Sequence, residues 1–187
     1  NSNCGAEVAT TSNEIATSVR LTSPSGLSPK MTSGGLLFVT DDTCLRVLHN
    51  FDKFLDHHAD FYYNDSISVP LENRIRIDTF AGDCTSGGAS EGNVIDFARF
   101  YQLEHVTFDQ GESVLFLAQR FGFMRKIWPM PRNYQDVVSM KKYAVSVSIS
   151  SQLLPGTIHQ ILWSNPSAKY PQFHDSSIFI VSGGDTV

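Results

Sequence analysis

Alternation of apolar and polar side chains is the most frequent pattern along this chain. The clearest case lies at residues 143–150, where Val145, Val147 and Ile149 alternate with serines. A period of two residues predicts a β-strand with one buried face. The same pattern, or a short apolar run bounded by turn residues, predicts further strands over residues 15–22, 35–40, 60–71, 74–80, 104–108, 156–164 and 176–182.

One segment has helical spacing instead. Cys44, Leu48, Phe51 and Leu55 follow one another at intervals of three or four residues, and Asp42 and Thr43 before them are good helix N-caps. This pattern predicts a helix over residues 43–57. Residues 112–125 fit a helix and a strand equally well, so the pattern leaves their conformation open.

The segments between these elements predict the fold class. Residues 23–35 and 82–93 are rich in Gly, Ser and Thr, which is typical of long loops. Many short strands, long loops and one or two short helices indicate an all-β protein with an antiparallel β-sandwich, and a jelly roll is the favoured version. We expect residues 1–13 to form an extended N-terminal arm and residues 14–187 to form a single domain.

Composition narrows the classes of function. The chain has 187 residues, 41% of them hydrophobic and only 18% charged, with a net charge of -5. A free nucleic-acid-binding domain usually carries a basic face, so such a role is disfavoured. No apolar run is long enough to span a bilayer, and no signal peptide is visible. Because the sequence begins without Met, we expect a segment that was either cut from a precursor or excised from a longer chain by design, and the sequence does not separate the two.

The cysteines predict little stabilisation by disulfide bonds. The chain has three of them, Cys4, Cys44 and Cys84, at spacings that match no zinc or redox motif. An odd number leaves at least one thiol free, and a domain of this size does not need disulfides to fold. We therefore expect buried free thiols.

Three short motifs have the residue types of catalytic or metal sites without the context that the chemistry needs. Gly88–Gly92 matches a nucleophile elbow around Ser90, but it lies in a predicted loop instead of between a strand and a helix. Adjacent triad residues, as in His174-Asp175-Ser176, cannot converge on one another. The group His57, His58 and Asp60, with His49 nearby, is more typical of a helix end than of a metal site.

The remaining candidates concern binding. Asn64-Asp65-Ser66 is a glycosylation sequon, which matters only in a secreted protein. Aromatic side chains in a β-rich chain mostly fill the core, although some can line a sugar-binding groove. The aromatic candidates for such a groove are Phe61, Tyr62, Tyr63, Phe97, Phe100, Tyr101, Phe121, Phe123, Trp128 and Trp163.

One stretch resembles the capsid proteins of picorna-like viruses. Residues 111–121 read Gly-Glu-Ser-Val-Leu-Phe-Leu-Ala-Gln-Arg-Phe, which resembles a Gly-Glu…Leu-Arg-x-Leu…Arg segment of insect and algal members. The Leu-Arg pair of the family is Phe116-Leu117 here. Chain size, strands rich in Ser, Thr and Gly, long loops and the missing Met agree with this family.

The resemblance implies a jelly-roll subunit of a small icosahedral RNA virus. Its partners would be other capsid proteins, with genomic RNA contacted on the inside and a host receptor outside. It would lie in the virion, and in the host cytoplasm during assembly, without membrane insertion. We expect no enzymatic activity, no cofactor and no metal. The alternative is a carbohydrate-binding β-sandwich, a lectin or viral attachment domain, and a hydrolase built on Ser90 ranks third.

Overall fold

The computed structural model of the chain consists mainly of short β-strands. It describes residues 6–7, 13–55, 70–88, 98–120, 123–142, 148–153, 157–164 and 177–183. The strands are β1 (Ala6–Glu7), β2 (Glu14–Ile15), β3 (Val19–Arg20), β4 (Pro24–Leu27), β5 (Leu37–Asp41), β6 (Cys44–His49), β7 (Arg76–Gly82), β8 (Leu103–Phe108), β9 (Leu115–Gln119), β10 (Phe123–Trp128), β11 (Ser148–Leu153), β12 (Thr157–Ser164) and β13 (Ser177–Gly183).

Helices are a minor part of the described structure. Residues 51–55 are helical and are called α1, and Tyr134–Lys142 form α2. Short 3-10 turns occupy Ala16–Ser18 and Leu71–Asn73. No helix in the described ranges is long and apolar enough to cross a membrane.

Two antiparallel sheets make up most of the domain. One has five strands in the order β2-β7-β6-β5-β4, and the other has four in the order β11-β10-β9-β8. Strands β12 and β13 pair with each other, and β1 pairs with β3 in parallel. The predicted all-β sandwich is confirmed. Within each large sheet most neighbours are also consecutive in sequence, whereas Greek-key folds interleave distant strands. The jelly-roll version and the division at residue 13 stay predictions.

Both large sheets bury side chains in one shared core. Phe38 of β5 lies between Phe80 of β7 and Phe108 of β8, with ring centroids 6.0 and 6.4 Å away. Because Phe108 belongs to the four-stranded sheet, this cluster joins the two layers. Val137 and Met140 of α2 belong to the same core. Burial of apolar area at this interface is the main stabilising contribution to the sandwich.

The predicted helix over residues 43–57 is wrong for its first half. Residues Cys44–His49 form β6, which pairs with β5 and β7, and helical structure begins only at residue 51. A strand buried on both faces carries apolar side chains at most positions, so part of its pattern can mimic helical spacing. Pairing on both sides decides the conformation, since it satisfies the backbone groups of β6.

The expectation of free buried thiols is also wrong for two of the three cysteines. Cys44 and Cys84 form a disulfide between β6 and the turn that follows β7. Their Cα atoms are 4.8 Å apart, a normal spacing for a disulfide. Forty residues separate them in sequence, too far apart for spacing alone to reveal the pair.

Loss of this disulfide is expected to destabilise the domain. The crosslink restricts the unfolded chain, so the double change Cys44→Ala and Cys84→Ala should lower the free energy of unfolding by about 2–4 kcal/mol. Urea unfolding of the variant and the parent measures this difference, with Cys4→Ala as the control that leaves it unchanged. A thiol assay on the denatured, unreduced protein should find one free thiol. Three free thiols would contradict the pairing.

Candidate functional site

A buried histidine and a buried aspartate meet on neighbouring strands. His49 is the last residue of β6, and Asp78 on β7 lies opposite Val47 in the register. Positions 47 and 49 share one face of their strand, so His49 and Asp78 are diagonal neighbours on the core side. His49 Nε2 lies 3.1 Å from Asp78 Oδ2. The two residues are 5% and 2% exposed, so this hydrogen bond is shielded from water.

The carboxylate of Asp78 is fixed in position and charged. Its other oxygen, Oδ1, accepts a hydrogen bond of 2.8 Å from the backbone N–H of Asn13. Burial raises the pKa of Asp78, but hydrogen bonds from His49 and Asn13 and the positive charge of Lys141 outweigh burial and hold the pKa below its ordinary value. Asp78 is therefore an anion at neutral pH.

A tyrosine covers the histidine ring. Tyr134, the first residue of α2, stacks on His49 with ring centroids 3.7 Å apart and an interplanar angle of 12°. Burial, the nearby charge of Asp78 and a hydrogen bond with Asp78 raise the pKa of Tyr134 to about 12. The phenol thus stays protonated and neutral, and it adds a third group to the His49–Asp78 pair.

Helix α2 is positioned so that Tyr134 reaches the His49–Asp78 pair. Asn133 precedes the helix, and its Oδ1 accepts a hydrogen bond of 2.9 Å from the N–H of Asp136, which caps the first turn. At the other end, Lys141 Nζ donates to the carbonyl of Thr79 at 2.7 Å, next to Asp78 on β7. The Lys141 contact and the stacking of Tyr134 on His49 therefore hold α2 against β6 and β7. The sequence pattern had not predicted this helix.

The pair has the arrangement of a general base with its orienting group. A carboxylate that accepts the Nε2 proton fixes one tautomer of the imidazole and leaves a lone pair on Nδ1. The same carboxylate stabilises the imidazolium that forms when Nδ1 takes a proton. Among the described residues, His49 has no second side-chain hydrogen bond, so Nδ1 has no described partner that occupies its lone pair.

A buried ion pair lies nearby and has a structural character. Arg46 Nε is 3.1 Å from Asp41 Oδ2, both side chains are fully buried, and Arg46 also donates to Thr79 Oγ1 at 2.6 Å. Potential ligand atoms of Asp41, Cys44 and Cys84 lie within 4.8 Å of one another. Because the sulfurs form a disulfide and Asp41 pairs with Arg46, these groups are already engaged and are poor metal ligands.

The sequence motifs contribute little to this site. Of the histidine group considered as a metal site, only His49 is described, while His57, His58 and Asp60 lie outside the described residues. Ser90 and His174–Ser176 lie outside them as well. Sequence reasoning missed Asp78 and Tyr134. Asp78 did carry a signal, since an acidic residue inside an apolar strand must find a partner when it is buried.

Acid should weaken the fold through Asp78. Its pKa in the folded protein lies below the ordinary value of 3.8, so the unfolded chain binds this proton more readily. The stabilisation is complete above that value and is lost as the pH falls through the folded pKa. In urea unfolding between about pH 5 and about pH 3, Asp78→Asn should lose stability less steeply than the parent. Glu72→Gln, at an exposed position, is the matched control. Equal slopes for Asp78→Asn and the parent would contradict the lowered pKa.

Comparisons with known proteins give no further assignment. No protein-family model matches the chain, and neither a curated protein nor a solved structure gives a significant match. The function of the chain is therefore inferred from the geometry of the described residues.

Proposed function

We propose that this protein is a hydrolase in which His49 is the general base and Asp78 orients it. The observation that carries the proposal is the buried hydrogen bond between His49 Nε2 and Asp78 Oδ2, with both groups on adjacent paired strands. Rigid strands hold such a pair more accurately than loops do. This proposal departs from the expectation of a non-enzymatic subunit, which rested on the weak catalytic motifs and on the resemblance to capsid proteins.

The energetics of burial support a functional role for the pair. Replacement of a buried ion pair by well-packed apolar residues is often neutral or stabilising, so a buried pair is weak evidence for a stabilising role. Burial raises the pKa of Asp78 and the hydrogen bond from His49 lowers it, and carboxylates perturbed by burial together with a specific partner are enriched at functional sites. Tyr134 restricts the imidazole further, and an imidazole held in one orientation is what a general base requires.

The proposed reaction is the hydrolysis of an ester or amide. A water molecule gives its proton to His49 Nδ1 and attacks the carbonyl carbon of the substrate. Asp78 stabilises the resulting imidazolium through the Nε2–H bond. The imidazolium then returns the proton to the leaving alcohol or amine as its bond to carbon breaks. Nδ1 and its lone pair lie in the ring plane, so the stacked Tyr134 does not block the direction of proton transfer.

Substitution of His49 tests this proposal. With a chromogenic ester or a fluorogenic peptide library as substrate, His49→Gln should lower kcat/KM by about 100-fold or more, because the proton acceptor is lost. His105→Gln, on β8 of the other sheet, is the matched control and should retain the parent activity. Asp78→Asn should lower activity as well, since the amide no longer favours the reactive tautomer. Equal activity in His49→Gln and the parent would refute the general base, as would a parent that hydrolyses no ester or peptide.

The second candidate function is the shell subunit of a picorna-like virus, and an apolar groove supports it. The groove has a volume of about 440 Å³ and includes Ile15, Leu48, Phe54 and Ile75 in its lining. Leu48 points to the opposite face of β6 from His49, so the groove is separate from the His49–Asp78 pair. An apolar groove on a domain with few charges suits contacts with other coat proteins.

Assembly would follow from the second candidate. The purified chain should sediment as a large particle or as a concentration-dependent oligomer, and Ile75→Asp should shift it to the monomer by placing a charge in the groove. Leu27→Asp, at an exposed position on β4, is the matched control that should leave the assembly intact. A parent chain that sediments as a monomer at every concentration would contradict the shell candidate.

A further inference from the structure

A cavity of about 350 Å³ lies on the other side of α2 from the His49–Asp78 pair. The cavity is lined by the loop before β9, by the end of β10 with the segment after it, and by α2. Ser113 comes from the loop, Trp128 from β10 and Asp136 from α2. Tyr134, two residues before Asp136 in the helix, points away from it toward His49. This volume is at the lower end of the range for small-molecule sites, which suits a ligand of one or two rings.

An exposed tryptophan, Trp128, lines the cavity. Trp128 at the end of β10 is 53% exposed, although indole rings are mostly buried in monomeric proteins. Met130 and Met140, both almost fully buried, add apolar surface to the same lining. The cavity therefore offers an aromatic plane and an apolar wall to a ligand that has an apolar face of its own.

Polar groups of the same lining can recognise hydroxyl groups. Arg132 lies just before α2 and Asp136 in its first turn, with Arg132 Nε 4.0 Å from Asp136 Oδ2. Both side chains are substantially exposed to solvent. The guanidinium supplies planar donors and the carboxylate supplies acceptors, while Ser113 and Ser139 add hydroxyls to the lining.

The charges around the cavity disfavour an anionic ligand. The lining has two carboxylates and one guanidinium, from Glu112, Asp136 and Arg132. Glu112 accepts hydrogen bonds from the N–H and the hydroxyl of Ser33 at 2.6–3.0 Å, and Asp136 Oδ2 accepts one of 3.1 Å from the N–H of Arg132. An uncharged ligand avoids the repulsion that an anion would meet at this surplus of negative charge.

The walls are held in place before any ligand binds. Asp109 Oδ1 accepts hydrogen bonds from the N–H groups of Ser113 and Val114 at 2.7 and 2.8 Å, which fixes the loop before β9. The N–H of Met130 donates to the carbonyl of Ser113 at 2.9 Å and ties this loop to the segment after β10. A rigid site loses less conformational entropy on binding than a mobile one does.

We infer that this cavity, the Trp128 pocket, binds a neutral sugar ring. A pyranose has an apolar face of C–H groups that can stack on Trp128 and a rim of hydroxyls that can bond with Arg132 and Asp136. No part of this inference requires His49 or Asp78, so it is independent of the proposed hydrolase.

Tryptophan fluorescence tests the inference with glucose, galactose, mannose and N-acetylglucosamine, and their disaccharides, as probes. Trp163→Phe provides a background in which Trp128 is the remaining tryptophan, because the chain has two. At least one of these sugars should change the emission in a saturable way. Calorimetry should then show that Trp128→Ala and Asp136→Asn each weaken binding about tenfold or more, a loss of about 1.4 kcal/mol.

Controls separate binding from damage to the fold. Trp128→Phe keeps an aromatic face and should retain most of the affinity, while Leu71→Ala, an exposed apolar position outside the pocket, should leave it unchanged. The inference is overturned if none of the sugars gives a saturable change at millimolar concentrations, or if Trp128→Ala binds as well as the parent. A cationic peptide that binds at Trp128 while no neutral sugar does would overturn it too.

Discussion

The antiparallel pairing of β6 with β7 sets the positions of the disulfide, the buried Arg46 and the His49–Asp78 pair. Along this one ladder, Cys44 lies opposite Gly82, Arg46 opposite Thr79 and Val47 opposite Asp78. The register thereby brings Cys44 near Cys84, Arg46 to the hydroxyl of Thr79 and His49 to Asp78. A slip of one residue would turn Asp78 to the other face of the sheet and separate it from His49. The register of β6 and β7 therefore determines the geometry of the site.

Two buried hydrogen-bonded pairs use the two faces of β6 in different ways. Arg46 and Asp41 are fully buried and saturated with partners, since Asp41 Oδ1 also accepts the N–H of Ser23 at 2.8 Å. That pair fixes the β5–β6 hairpin and has no group left for a ligand among its described contacts. The His49–Asp78 pair differs, because the imidazole still carries a second nitrogen. The chemistry that we propose depends on this difference.

Local patterns in the sequence predicted the sheets better than the site. Strands at residues 35–40, 74–80 and 104–108 correspond to β5, β7 and β8, since alternation and short apolar runs depend on burial alone. The prediction of a helix over residues 43–57 failed at β6, because both faces of this strand are buried and the two-residue alternation of a strand is lost there. Strand β4 lies within the segment predicted as a loop. Its sequence has a low strand propensity, but pairing with β5 stabilises the extended conformation.

The site could not be predicted because its members meet only through tertiary structure. His49 and Asp78 are 29 residues apart, and Tyr134 comes from a helix that lies in sequence between β10 and β11 of the other sheet. The disulfide between Cys44 and Cys84 has the same origin, since the register of β6 and β7 decides which two of three cysteines meet. Short motifs around Ser90 and His174 had the right residue types, yet residue type without a defined geometry says little about chemistry.

The tautomer of His49 tests the central claim most directly. A proton–nitrogen NMR spectrum of the protein with labelled histidine rings, with the His49 signals identified by their loss in His49→Gln, reports which ring nitrogen carries the proton. For the neutral imidazole of His49 the account predicts a proton on Nε2 and none on Nδ1, and a changed tautomer balance in Asp78→Asn. A neutral imidazole with its proton on Nδ1, or a spectrum that Asp78→Asn leaves unchanged, would contradict the account.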